Sequence, residues 1–230
     1  MADDAVELLP LFPLGHVLMP GCPLPLRVFE PRYRRLLADV TDVDGPRRFG
    51  VVALTAGLEV DSGLDESVAR FAQIGTVAEI LEVHPGADGS ANLLTGGSQR
   101  FRVHRLVETP APYLVAEVSF LAEVEGEMPE SLPGSARALS AEYFRLMSAL
   151  VNGPVGSSDP LPDDTILLSY RLAADAPLSQ ADSQTLLEDE TATARLLHVQ
   201  RVLRREVVLL RRTRTIAVSP GVLQVALRPN

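Results

Sequence analysis

With 230 residues, 46% hydrophobic and 22% charged, the chain carries enough apolar side chains for one generous core or two modest ones. Its formal net charge of -9 disfavours nucleic acid over most of the surface, because affinity for phosphate backbones comes from clustered basic residues. All 21 basic residues are Arg, and a chain without Lys can form neither a P-loop phosphate cradle, nor a Ser-Lys nucleophile pair, nor a Schiff base. Cys22 is the single cysteine, which excludes an internal disulfide and a thiolate metal cluster. The start, Met-Ala-Asp-Asp, lacks the positive charge and apolar run of a secretory signal. Apolar stretches such as 207–210 fall far short of the roughly 18 to 20 residues of a membrane span, so the expectation is a cytoplasmic protein with no membrane contact.

In chain order, residues 8–28 (LLPLFPLGHVLMPGCPLPLRV) hold prolines at 10, 13, 20, 23 and 25, which exclude a helix and suit short edge strands joined by turns. Next, Pro31 fits a first helical position, and Tyr33, Leu36, Leu37 and Val40 form an apolar stripe, predicting a helix over about 31–42. Gly45 and Pro46 end it, and FGVVAL at 49–54 reads as a buried strand. From 71 to 121 the period is close to two: Phe101, Val103 and Val107 alternate with Arg100, Arg102 and His104. Similarly, Leu114, Ala116, Val118 and Phe120 alternate with Tyr113, Glu117 and Ser119. PGADGS at 85–90 supplies turn residues between 80–84 and 92–95, predicting a hairpin.

A polar link at 122–134 precedes a helical half, with helices expected over about 135–151, 163–174, 179–187 and 190–213 and a Gly/Ser/Pro loop at 152–162. The last helix has Leu196, Val199, Leu203, Val207 and Leu210 as its core stripe, with acid before it and Arg211, Arg212 and Arg214 at its end, as the helix dipole favours. The expected division is therefore 1–124, a strand-rich part; 125–214, a helical part; and 215–230, an extended tail.

Few residues suggest chemistry. His16, His84, His104 and His198 lack metal-ligand spacing and read as surface or rim histidines, although His84 and His104 fall on strands that could bring them together. No Gly-x-Ser-x-Gly elbow exists; Thr95-Gly96-Gly97-Ser98, placed between strands, reads as a bulge or turn serving sheet curvature. Cys22, among prolines, reads as a small apolar residue. The carboxylate groups Asp163-Asp164 and Glu188 to Glu190 read as helix-start caps. Between Arg195 and Arg214, seven Arg stand against Glu206 alone, a run able to bind an acidic partner or RNA but read first as the solvated face of an amphipathic helix.

The order of segments resembles the N-terminal, substrate-binding domain of the Lon protease family. The resemblance is carried first by Pro13, Leu14, Pro20, Pro25, Leu26, Phe29, Glu30, Arg32 and Tyr33. It continues through GTVAEI from Gly75, Gln99-Arg100-Phe101-Arg102-Val103 and PYLVAEV at 112–118, and through SQTLLEDETATARLLHVQRVLRREVVLL in the back half, covering about 8–212. It implies an α+β fold: a PUA-like curled β-sheet or pseudo-barrel, then a C-terminal α-helical bundle. It also implies a stand-alone bacterial form without the ATPase and peptidase modules, since the chain is short and has no Lys.

The implied function is non-catalytic binding of unfolded or extended polypeptides, through an apolar groove or sheet edge between the halves, beside a protease or chaperone and without cofactors or metal. A homodimer stays open. Pro13, Leu14, Pro20, Phe29, Glu30, Arg32, Tyr33, Gly75, Arg100 and Phe101 are expected to serve structure. RNA or nucleotide binding, resting on the Arg run, and small-molecule hydrolysis by Cys22 or a histidine are the alternatives.

Overall fold

The computed structural model describes residues 6–42, 45–54, 71–156 and 159–213. They fall into two compact units, one within Met1–Ala122 and one within Glu123–Asn230. The tail at 215–230 lies outside the described residues.

The first unit comprises β1 (Glu7–Leu14), β2 (Pro23–Val28), α1 (Pro31–Thr41), β3 (Arg48–Ala53), β4 (Ile74–Pro85), β5 (Ala91–Val107) and β6 (Val115–Phe120). The strand order is β2-β5-β4-β3-β1-β6, and β6 also pairs with β5, so five strands close into a barrel with β2 outside the ring. The length of β5 makes this possible. Residues 91–96 pair with β2 and 101–107 with β6, while β4 takes the other side from Ala91 to Arg102. Among these six strands, only β1 and β3 pair in parallel.

The prolines of β1 correct one expectation, for β1 is flanked on both sides rather than lying at an edge. Residues 7–10 are in register with β6 and 11–14 with β3, so each half has one side on which a missing N–H costs little. The uninterrupted apolar run of β3 has an equally direct cause, since both its faces are buried. Phe49 and Val51 pack with Phe12 and with Tyr33, Leu36 and Val40 of α1. On the other face, Val52 joins Leu9, Leu11, Val77, Phe101, Val103, Ala116 and Val118 inside the barrel.

The hairpin forms as predicted, with β4 and β5 meeting at Pro85 and Ala91. Thr95-Gly96-Gly97-Ser98 lies within β5, not between strands. The irregularity it was expected to supply is there: from Thr76 to Ala78 on β4, the partner moves from Arg100 to Gly97. A Cβ on Gly97 would stand 2.4 Å from Met19 O, and the turn at 20–22 docks there, with Gly21 N donating to Gly97 O at 2.8 Å and Gly97 N to Cys22 O at 2.9 Å. This docking also explains one further correction to the alternation. Arg100 is 2% exposed, and its ladder partner Thr76 donates through Oγ1 to Leu18 O at 2.6 Å, so the 18–22 segment covers that face. Ser119 is buried as well, its Oγ 2.9 Å from His104 Nε2.

The second unit contains α2 (Ser131–Val151), α3 (Thr165–Asp175), α4 (Gln180–Glu188) and α5 (Ala192–Thr213). Helix α2 starts four residues before the expected 135, taking in part of the supposed link. Pro133 and Gly134 read as breakers, but in a first turn the backbone N–H has no helical partner to lose. Asp164 caps α3 by accepting from Leu167 N at 2.8 Å, and Ser179 caps α4 by accepting from Asp182 N at 3.1 Å. The cap of α5 is Thr191, whose Oγ1 accepts from Ala194 N at 3.1 Å. Glu188 ends α4 and Asp189 is its C-cap, so the Glu188 to Glu190 run does not cap α5 as expected. The stripe Leu196, Val199, Leu203, Val207 and Leu210 is buried, and α5 packs on α2 and α3. No helix of the described residues is long and apolar enough to cross a membrane.

Candidate polypeptide-binding surface

The interior of the barrel is filled. Phe101 is fully buried, and two glycines give its ring room: a Cβ on Gly50 would lie 2.6 Å from Phe101 Cζ, and one on Gly75 would lie 2.7 Å from it and 2.3 Å from Val51 O. Any binding must therefore use the outside of this unit.

The residues that raised chemical questions are not assembled. His84 pairs with Asn92 at one end of β5 and His104 lies toward the other, so the two do not approach each other, contrary to one expectation. His84 Nε2 lies 3.0 Å from Glu82 Oε2, and His198 Nδ1 lies 3.8 Å from Asp189 Oδ2. Cys22 is buried. Among the described residues, no three or more His, Cys, Asp or Glu side chains gather where a metal ion could sit.

The motif residues fall in different settings. Pro13 and Leu14 are partly buried on β1, and Pro20 is buried in the docked turn. Glu30 occupies the N-cap position of α1 and accepts from Arg32 Nε at 2.9 Å. Tyr33 is buried and stacks on Phe12 with ring centroids 4.0 Å apart, and the Arg32 guanidinium lies 4.6 Å from the Tyr33 ring centre. Phe29 alone of the ten presents a large apolar side chain to solvent, 63% exposed, directly after β2.

Phe29 follows Val28, whose partner Ala91 pairs in turn with Pro85, so β5 lies between the strand that carries Phe29 and the end of β4. Pairing of β3 with β4 ends at Arg48 and Glu79, and Ile80 N donates to Arg47 O at 2.9 Å. Beyond that point β4 continues to Pro85, with residues 82–85 paired with β5 alone and Leu81 passed over at a register shift. β2, β5 and this part of β4 thus form a three-stranded arm. Its two edges differ. The β2 edge carries Pro23 and Pro25, which cannot donate to an added strand. The β4 edge has no strand beside it among the described residues, and Leu81 and Val83 are exposed there at 60% and 36%. Free backbone N–H and C=O groups beside exposed aliphatics can take up an extended chain as one more strand, the backbone supplying hydrogen bonds and alternate side chains the apolar contact.

In the helical unit, the Arg run divides in two. Arg195 is fully buried, which corrects its assignment to a solvated face. Its guanidinium donates to Leu186 O at 2.9 Å, Asp189 O at 2.8 Å and Ser169 Oγ at 2.8 Å, and it lies 3.7 Å from the centre of the Tyr170 ring. Tyr170 in turn donates to Glu123 Oε2 at 2.7 Å. Glu206 also points inward, 3% exposed. A signal for this was available, because Arg195 and Glu206 sit beside Leu196 and Val207 on the same helical stripe. The remaining arginines of α5 are exposed.

Comparison with known proteins agrees with the architecture. The ATP-dependent protease La (LON) substrate-binding domain matches residues 8–205. Lon protease 2 of Syntrophobacter fumaroxidans is 31% identical over 199 residues, covering 84% of this chain and 24% of that protein. Lon protease of Escherichia coli K12 is 26% identical over 211 residues, covering 90% of this chain and 26% of that protein. The chain thus spans about a quarter of the length of these relatives. Among solved structures, the Lon N-terminal domain protein from Xanthomonas campestris superposes with a TM-score of 0.61 at 29% identity, covering 85% of this chain and 98% of that one. The N-terminal domain of Mycobacterium avium complex Lon protease shares the fold, with a TM-score of 0.57 at 20% identity over 86% of this chain and 98% of that one.

Proposed function

We propose, from the premise that this chain belongs to the family of ATP-dependent protease La (LON) substrate-binding domains, that it binds extended or unfolded polypeptide without transforming it. The observation that carries this reading is the open β4 edge at residues 81–85, with Leu81 and Val83 exposed along it. Strand addition there recognises any chain that can extend, which suits a receptor for many clients better than for one. Phe29 adds an exposed aromatic side chain directly after β2, on the far side of β5 from that edge. The absence of Lys removes the Ser-Lys nucleophile pair, and the buried Phe101 leaves the barrel no interior chamber for a substrate. A cytoplasmic setting, with a protease or chaperone as the recipient of the bound chain, belongs to the same reading.

The test uses the purified chain and a permanently unfolded, carboxymethylated polypeptide carrying a fluorophore. Anisotropy should rise saturably with protein concentration. Replacing Val83→Pro, which removes an edge N–H, and Leu81→Asp, which charges the contact, should each weaken binding by about tenfold. Equal binding by both variants would assign recognition elsewhere. Proteolysis of the polypeptide by the chain alone would end the non-catalytic reading.

A further inference from the structure

The exposed face of α5 is costly for the helix that bears it. Positions 197, 201, 204, 208 and 212 recur at intervals of three or four residues and place Leu197, Arg201, Arg204, Val208 and Arg212 along one solvent-facing stripe. Leu197 and Val208 are each 48% exposed, in the middle of a face where a helix ordinarily carries polar groups. Arg201 stands three and four residues from Arg204 and Arg205, spacings at which like charges repel along a helix. Being in mid-helix, these three gain nothing from the dipole, which acts only within the last turn. The only acidic residue of α5, Glu206, is buried and pairs with Arg205, leaving Arg201 and Arg204 without it.

Neutralisation on this face is partial. Arg205 bonds to Glu206 and Arg211 to Glu142, whereas among the described residues Arg204 bonds to the neutral Oε1 of Gln200. Arg201 and Arg212 have no ion pair with another described residue. In a chain of net charge -9, this is a concentrated positive stripe flanked by aliphatics.

From this we infer that the outer face of α5 is a docking site for an acidic, amphipathic helical segment of a partner protein. Carboxylates of the partner meet Arg201, Arg204 and Arg212, and its aliphatic side chains cover Leu197 and Val208. Charge complementarity selects this occupant, since a cationic or neutral segment would leave the arginines unpaired while covering them. A nucleic acid would satisfy the arginines but leave the aliphatics exposed, and the acidic remainder of the chain would repel it. This face belongs to the other unit from the β4 edge, and the inference does not depend on polypeptide binding there.

The test uses the whole chain and three fluorescent probes: a synthetic helix-forming peptide of about four turns with a Leu stripe flanked by Glu, its counterpart with Lys in place of Glu, and a single-stranded RNA of matching charge. The Glu peptide should bind saturably and more weakly as salt rises, and Arg201→Glu with Arg212→Glu should lower its affinity by about tenfold or more. Leu197→Ser should weaken it as well, and Val83→Pro on the β4 edge should leave it unchanged. All these side chains face solvent, and a thermal melt of each variant checks the fold. The inference is overturned if the Lys peptide binds equally, if the Arg variants bind as the parent does, or if RNA binds in preference to the Glu peptide.

Discussion

Inside the barrel lies an aromatic ring, Phe101, with two glycines against it; buried in the helical unit lies a cation, Arg195, resting on Tyr170. The two solutions reflect what each kind of structure leaves unsatisfied. A closed sheet pairs its own backbone, so the space inside needs only to be filled, and Gly50 and Gly75 trim the walls to the size of the ring. A bundle of short helices instead buries helix ends whose last carbonyls have no intrahelical donor. Arg195 meets that need for α4, reaching Leu186 O and Asp189 O from the first turn of the next helix. A buried charge is tolerated there because it serves several acceptors at once.

The comparison can be broken by exchange of the central side chains. Phe101→Ala is expected to have the largest effect, about 3–5 kcal/mol, from lost burial and the cavity left inside a closed sheet, measured as a fall in the denaturant midpoint. A loss below about 1 kcal/mol would mean that the barrel can collapse on the space. Arg195→Met keeps much of the volume but removes the donors, and should cost about 3 kcal/mol, since three acceptors, two of them buried, each lose a bond of about 1 kcal/mol. If Met is tolerated without loss, the cation is not what holds the end of α4.

Gly75→Ala sharpens the barrel side of the contrast. The new methyl group meets Val51 O and the Phe101 ring, and the expected cost is about 1–3 kcal/mol by the same measurement. The smallest effect lies at the surface of the helical unit. Glu142 accepts from Arg145 Nε at 2.8 Å and Arg211 Nη2 at 2.9 Å, tying α2 to α5, and these guanidiniums hold its carboxyl down at about 2 against an ordinary 4.5. A depressed carboxylate pKa contributes stability that is complete above 4.5 and disappears as pH falls to about 2. The difference in melting temperature between the parent and Glu142→Gln should therefore be greatest at neutral pH and close between those two values. A difference that persists below pH 2 would show that charge is not its source.

Much of this architecture was legible from local pattern. The alternation around Phe101 and Ala116, the turn at 85–90 and the stripe from Leu196 to Leu210 each follow from which face of a strand or helix must leave water. The Pro-rich opening was legible only in part. Prolines announce where a helix cannot form, but which strands flank β1 depends on residues far along the chain. The candidate surface was less legible still. A sheet edge is open or closed according to where a neighbouring strand stops, and nothing at residues 81–85 records that β3 ends opposite Glu79.

The sequence by itself determined the order of the elements, the apolar faces of α1, β5 and α5 and the absence of Lys chemistry, because periodicity and composition are properties of the chain alone. Tertiary structure alone decided that β5 closes a barrel with one half and holds β2 with the other, that Arg100 and Arg195 go inside and that Phe29 stays out. Burial of a charge or exposure of an aromatic depends on which distant segments supply acceptors or cover. For Arg195, those are the carbonyls at the end of α4 and the Tyr170 ring on α3.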